Sequence, residues 1–142
     1  IQSIDGISLQ AATCCHPVPG DRIIGQMRGG HGLSIHRMDC ETARKQISRD
    51  AERWIDVEWD EEVSGMFRTL IEITADDERG ILGRIASEIT ASNADILQVA
   101  MDTESEQVAI IRFTLQVQDR DHLAEVFRRL RKLPQTRTIT RA

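Results

Sequence analysis

The chain contains no tyrosine, only three phenylalanines and two tryptophans. So few rings leave little with which to stack bases, which argues against an autonomous reader of single-stranded RNA. Three cysteines are odd in number and too few for a secreted disulfide scaffold, and a reducing, cytoplasmic setting suits them better. No apolar run approaches the ~20 residues of a membrane-spanning helix, and no signal peptide opens the sequence. Nor is there an excess of base: 18 Lys and Arg stand against 23 Asp and Glu, a net charge of −5. That excludes a generally basic nucleic-acid binder, though not a local basic face. The sequence starts at Ile1 rather than methionine and reads as a fragment of something longer.

What is present divides in two. Every cysteine (Cys14, Cys15, Cys40) and three of the four histidines (His16, His31, His36) fall within the first forty residues. Acids then crowd Asp56 to Glu62, a solvated edge that discourages strand pairing, and a small polar run follows to Gly65. We place a boundary there, with a first module over 1–65 and a second over 66–142.

The second module has the clearer pattern. Phe67, Thr69, Ile71 and Ile73 alternate with Arg68, Leu70, Glu72 and Thr74, as in a half-buried strand. A turn follows at 76–80. Ile81, Ile85 and Ile89, with Leu82 and Ala86, mark one face of a helix, and Asn93 is a left-handed stop. Ile96–Met101 is a second strand, 103–106 a turn, and Val108–Val117 a β-branched third strand. Asp119 or Asp121 can cap a second helix that buries Leu123, Val126, Phe127, Leu130 and Leu133. Arg137–Arg141 closes the series. The order β-α-β-β-α-β predicts an α+β fold, a ferredoxin-like sandwich with two helices on one face of an antiparallel sheet.

The first module is a small Cys/His-containing α/β unit. Ile7–Ala12, Arg22–Met27, Leu33–His36 and the alternating Ile55, Val57 and Trp59 read as strands. Pro17-Val18-Pro19-Gly20-Asp21 and Gly29-Gly30-His31-Gly32 turn the chain. Asp39 can cap a helix from Cys40 to Arg53 with Ala43, Ile47, Ala51 and Trp54 on its buried side. Many glycines and a thin core suggest a unit that needs a staple.

Cys14, Cys15, His36 and Cys40 offer three sulfurs and a nitrogen, the donor set of a closed structural zinc site. Adjacent strand residues point to opposite faces, so Cys14 and Cys15 can share an ion only if the backbone bulges. Two other readings stay open: buried reduced thiols with no metal, or a catalytic thiol with His36 as base. His16 and His31 read as exposed turn residues.

The string Cys14-Cys15-His16-Pro17-Val18-Pro19-Gly20-Asp21-Arg22-Ile23-Ile24-Gly25, then Gly32–His36, Asp39-Cys40 and Trp54–Trp59, resembles the C-terminal regulatory region of the long RelA/SpoT-type (p)ppGpp synthetases and hydrolases of the stringent response. The resemblance covers nearly the whole chain. It implies a zinc-finger (conserved-cysteine, ribosome-contacting) domain over 1–65, with Cys14, Cys15, His36 and Cys40 at its signature positions. It implies an ACT domain over 66–142. The parent would be a GTP diphosphokinase, a (p)ppGpp 3'-pyrophosphohydrolase or both. Its catalytic N-terminal half is absent here, so the resemblance implies no catalytic residues in this chain.

The resemblance also directs attention to Asp76-Asp77-Glu78-Arg79-Gly80-Ile81-Leu82, which is similar to the ligand loop of ACT domains. Free N–H groups near Gly80, Ile81 and Leu82 can receive a carboxylate, helped by about 0.3–1 kcal/mol from the helix dipole. Asp76 or Asp77 can meet an ammonium, and Ile96 an aliphatic side chain. The implied ligand is a branched-chain amino acid, valine or isoleucine, acting allosterically by population shift on the catalytic half. The plain alternative is that Gly80 opens the helix and the acids cap it. Implied partners are the ribosome and tRNA, the catalytic half, and a second copy in a homodimer, with no membrane. A docking or dimerisation module without any small ligand is the rival function. The bases from Arg22 to Arg49 suit ribosome contact, and Arg128, Arg129, Arg131 and Lys132 suit a solvated helix end.

Overall fold

The structure, a computed structural model, describes residues 9–29, 32–103 and 107–142. Three readings therefore lie outside the described residues: the strand start at Ile7 and Ser8, Gly30-His31 of the glycine turn, and the turn at 104–106. The chain divides into two compact units, 1–65 and 66–142.

The first unit contains β1 (Leu9–Ala11), β2 (Ile23–Met27), β3 (Leu33–Arg37), α1 (Glu41–Arg49), a 3-10 turn (Ala51–Arg53) and β4 (Trp54–Asp56). Its sheet order is β1-β3-β2-β4. The pair β1 and β3 is parallel and the others are antiparallel. One apolar cluster joins Ile23, Leu33 and Ile35 to Leu9, Val57 and Trp59. A second joins Cys15, Cys40 and Ala43 to Ala12 and Trp54. Gly25 is closely packed, and a Cβ there would lie 3.1 Å from Val57 Cγ1, so Val57 would have to shift by a few tenths of an ångström.

Two readings of this unit need correction. The helix is shorter than the pattern predicts, running only from Glu41 to Arg49, because Asp50 leaves helical conformation at φ −150 and ψ 68. Trp54 therefore sits on a strand, and Ala51 is exposed. Asp39 does not cap the helix. Its carboxylate faces Arg37 Nε at 3.5 Å, and Cys40 holds the cap position. The last strand ends at Asp56, and Val57 and Trp59 pack from irregular chain. Trp59 Nε1 donates to the Asp21 carbonyl at 3.0 Å, and the Val18 N–H donates to Asp21 Oδ2 at 2.8 Å, so Asp21 fixes the Pro-Val-Pro-Gly turn.

The second unit contains β5 (Phe67–Asp76), α2 (Ile81–Ala91), β6 (Asp95–Thr103), β7 (Val108–Val117), α3 (Arg120–Arg131) and β8 (Thr136–Arg141). The strand order β6-β7-β5-β8, all antiparallel, is the ferredoxin-like arrangement read from the sequence. Thr69, Ile71, Ile73 and Ala75 of β5 and Ala109, Ile111, Phe113, Leu115 and Val117 of β7 are buried. Ile81, Ile85 and Ile89 of α2 and Leu123, Val126 and Leu130 of α3 are buried as well. Phe127 and Leu133, expected inside, are only half-buried, and the Arg131 guanidinium lies 5.7 Å over the Phe127 ring. Asn93 takes φ +65, as a left-handed stop should. Among the described residues no helix is long and apolar enough to cross a membrane.

Candidate metal centre and ligand turn

The backbone resolves the problem of two adjacent cysteines. The His16 N–H donates to the Ala12 carbonyl at 3.0 Å, closing one helical turn, and His16 ends it at φ +44. Cys14 and Cys15 thus lie on a turn, where neighbouring side chains can converge. His16 itself is half-buried rather than exposed. β3 delivers His36, and the start of α1 delivers Cys40.

Cys14 Sγ lies 3.4 Å from His36 Nδ1, 3.7 Å from Cys40 Sγ and 3.9 Å from Cys15 Sγ. Cys15 Sγ is 3.9 Å from His36 Nδ1. All four donor atoms lie within 4.8 Å of one another. A tetrahedron of ligands around zinc has S–S edges of about 3.8 Å and S–N edges of about 3.6 Å, from Zn–S and Zn–N bonds of about 2.3 and 2.05 Å. The four edges just given, 3.4 to 3.9 Å, agree with that figure. Three are buried and Cys14 is exposed.

The surroundings grade the thiols. Burial pushes the Cys15 thiol up to about 12, against the Arg37 N–H that donates to its sulfur at 3.3 Å. Cys14 is also raised, by burial first and then by Cys40. Burial pushes Cys40 upward too, but backbone N–H groups of Ala43 and Thr42, with the Cys14 and Cys15 thiols, outweigh it and leave Cys40 lowered. Burial and then the Arg28 charge lower His36, favouring the neutral imidazole that a metal needs. Trp54 leans on the His36 ring, with centroids 5.3 Å apart and planes 55° apart. The strand-to-helix spacing of His36 and Cys40 was legible. The Arg37 N–H and the Trp54 ring were not, because the first depends on the turn that aims Cys15 at β3 and the second on where α1 stops.

In the second unit, Gly80 takes φ +82 at the head of α2, with no side chain capping the helix. A Cβ at Gly80 or Gly83 would meet nothing within 4 Å. The Ile81 N–H donates to the Glu78 carbonyl at 3.1 Å, and Arg84 closes the first helical bond to Gly80. The uncapped donors therefore belong to Leu82 and Gly83. Ile81 is committed to the core, whereas Leu82 is exposed. Asp76 Oδ1 accepts from Arg137 Nε at 2.6 Å, so this carboxylate is already paired. Asp77 is exposed, and its N–H donates to the Gln107 carbonyl.

Ile96 is not brought to this turn. It pairs with Leu115, which pairs with Thr69 near the start of β5, whereas Gly80 follows the end of β5 at Asp76. Seven strand residues separate the two ends, about 23 Å. At the Gly80 end β6 contributes Met101 and Thr103, opposite Ile111 and Ala109. Two of the four bases in the α3 patch find acidic partners within the fold. Arg128 pairs with Glu125, and Arg129 with Glu88 at 3.6 Å and Glu125 at 3.7 Å.

Comparison with known proteins follows the same division. Residues 1–60 match the RelA/SpoT RIS domain family, and residues 64–141 match the ACT domain family. A GTP pyrophosphokinase of Streptomyces coelicolor is 34% identical over 131 residues, 92% of this chain and 15% of that protein. The bifunctional (p)ppGpp synthase/hydrolase SpoT of Escherichia coli K12 is 31% identical over 141 residues, 99% of this chain and 20% of that protein. The bifunctional (p)ppGpp synthase/hydrolase RelA of Mycobacterium tuberculosis is 34% identical over 128 residues, 90% of this chain and 17% of that protein. The chain thus spans a fifth or less of the length of these relatives.

Proposed function

We propose a function from the premise that this chain belongs to the RelA/SpoT-type family, as its RIS-domain and ACT-domain region. It is a non-catalytic, cytoplasmic regulatory region, and its ACT domain receives a free amino acid of the branched-chain class. The carboxylate docks on the Leu82 and Gly83 N–H groups beside Gly80, with Asp77 toward the ammonium. The observation that carries this reading is the open, uncapped turn at Gly80. Binding shifts the balance between synthesis and hydrolysis of (p)ppGpp in the catalytic part of the parent, which this chain does not span.

Ile96 enters this site from a second copy. β6 is an edge strand, and two β6 edges pairing antiparallel would set the start of one beside the end of the other. Leu97, Val99 and Met101, each 41–42% exposed, give that edge an apolar surface that supports a homodimer. In the first unit, Cys14, Cys15, His36 and Cys40 hold a structural zinc that staples the RIS domain for contact with the ribosome and tRNA. The support is the tetrahedral spacing of their donor atoms.

Titration of valine or isoleucine into the 142-residue chain, followed by amide NMR, tests the sensor. Signals from Gly80 to Gly83 are expected to move saturably. No shift with any amino acid at millimolar concentration removes the sensor and leaves a docking module.

A further inference from the structure

His122 is the one histidine in residues 66–142, and neither the metal centre nor the Gly80 turn uses it. It is half-buried at the third position of α3, behind the cap residue Asp119. Three hydrogen bonds converge on it. Its own N–H donates to Asp119 Oδ1 at 2.8 Å. The Gln118 N–H donates to its Nδ1 at 2.9 Å. Its Nε2 lies 2.6 Å from the carbonyl oxygen of Ser92, a buried residue at the end of α2. These bonds leave the ring a single protonation state. A backbone N–H only donates, so Nδ1 keeps its lone pair. A carbonyl only accepts, so Nε2 carries the proton. The neutral ring thus joins the chain entering α3 to the last turn of α2, whose carbonyls lack helical partners.

Glutamate or glutamine at this helix position commonly reaches back to a backbone N–H. Histidine in that role differs, because it gains a proton between pH 8 and 5. A second proton has to go on Nδ1, where it would face the Gln118 N–H, donor against donor. We propose that His122 is a proton-operated clip between α3 and α2: neutral, it links Gln118 to Ser92, and proton uptake at Nδ1 opens it at the Gln118 end. Ser92 leads through the left-handed Asn93 into the edge strand β6, so the clip holds the segment that enters that edge. The charged groups placed around the ring act in both directions. On α3 these are Asp119, Arg120 and Asp121, with Glu125 one turn on, and on α2 Glu88, one turn before Ser92. Asp119 is taken by the His122 N–H, and Glu88 and Glu125 pair with Arg129. Arg68 and Asp95 both pair with Gln116, on the sheet face that the helices do not cover. Asp121 is exposed, and its pull on an imidazolium is screened by water. The positive end of the α3 dipole opposes that charge. The direct Gln118 bond therefore sets the sign, in favour of the neutral ring.

The experiment follows imidazole and amide NMR of the 142-residue chain from pH 8 to pH 5. Urea unfolding is read alongside from the amide signals of 66–142, so that the histidines of the first unit do not enter. At pH 8 the ring nitrogens should show a proton on Nε2 alone. As pH falls, the Gln118 amide should move together with the His122 ring and lose protection from hydrogen exchange. His122→Gln is the control, since glutamine offers one acceptor and one donor and does not titrate. The unaltered chain should match this variant at pH 8 and fall below it on acidification. By pH 5 its unfolding constant should have risen about two- to tenfold against the variant, as for the loss of one hydrogen bond. The sign is that of a ring held neutral by the fold: the stabilisation is complete above the ordinary histidine range, about pH 6.5, and is lost as pH falls below it. A proton on Nδ1 at pH 8, or a Gln118 amide indifferent to the ring, overturns the clip. So does a chain that keeps pace with His122→Gln or gains on it in acid, since the carboxylates would then hold the charge. If His122→Gln does not fold, the ring and Gln118 signals of the unaltered chain decide alone.

Discussion

His36 Nδ1 stands 3.4 Å from the Cys14 sulfur, although the two residues come from a strand and a turn 22 positions apart. Cys14 Sγ also lies 3.7 Å from Cys40 Sγ and 3.9 Å from Cys15 Sγ, the edge lengths of a four-ligand zinc site. Zinc is therefore expected to bind one per chain. Because Cys14 and Cys15 are raised and must lose their protons to ligate, binding releases protons and weakens as pH falls. Calorimetry in buffers of different ionisation enthalpy reads the release directly. Cys40→Ser is expected to abolish stoichiometric zinc and the order of residues 9–59, leaving the second unit folded. Full zinc content in that variant would end the four-ligand reading.

Gly80→Ala separates backbone strain from space. The left-handed conformation at φ +82 costs an alanine about 1–2 kcal/mol, yet its methyl group would meet nothing within 4 Å. The second unit should stay folded with a modestly lowered midpoint in denaturant. Amino-acid binding should fall sharply, because the methyl group would stand beside the Leu82 and Gly83 donors. Unaltered affinity would place the ligand elsewhere.

Asp119 offers a cleaner test of helix capping. Its Oδ1 accepts from the His122 N–H at 2.8 Å. Asp119→Ala is expected to cost the second unit about 1 kcal/mol, within a range of roughly 0.5–2, measured by urea unfolding. Asp121→Ala, two residues later and making no such bond among the described residues, should cost less.

These cases mark where sequence reading works and where it stops. The period-2 run Phe67–Asp76 and the isoleucines of α2 carry their own geometry, so the sandwich of the second unit was legible from pattern alone. Asp119 was readable because a cap depends on its immediate neighbours. Cys14, Cys15, His36 and Cys40 were legible as a donor set, but the turn that aims the first two was not, since only the Ala12–His16 bond creates it. Asp39 failed as a cap because Arg37 competes for it. The placement of Ile96 depended on strand register, which pairs it with Leu115 far from Gly80, and a single strand's own pattern does not contain its partner's register.

The β6 edge gives the remaining prediction. Val99 and Met101 lie opposite Phe113 and Ile111, on the sheet face that the helices cover, yet both stay 41% exposed because β6 sits at the margin of that cover. Exposed apolar side chains on an unpaired edge are an invitation to a second strand. Val99→Lys places a charge at the centre of this edge without touching the buried core. Sedimentation of the 142-residue chain should show a dimer that becomes monomeric in the variant, with stability of the folded monomer changed by less than about 1 kcal/mol, as for other surface substitutions. If amino-acid affinity falls in step with dissociation, Ile96 of the second copy completes the site. If the dimer is lost and affinity is retained, the Gly80 turn binds its ligand alone. A dimer that survives Val99→Lys would mean that the two copies meet on some other face.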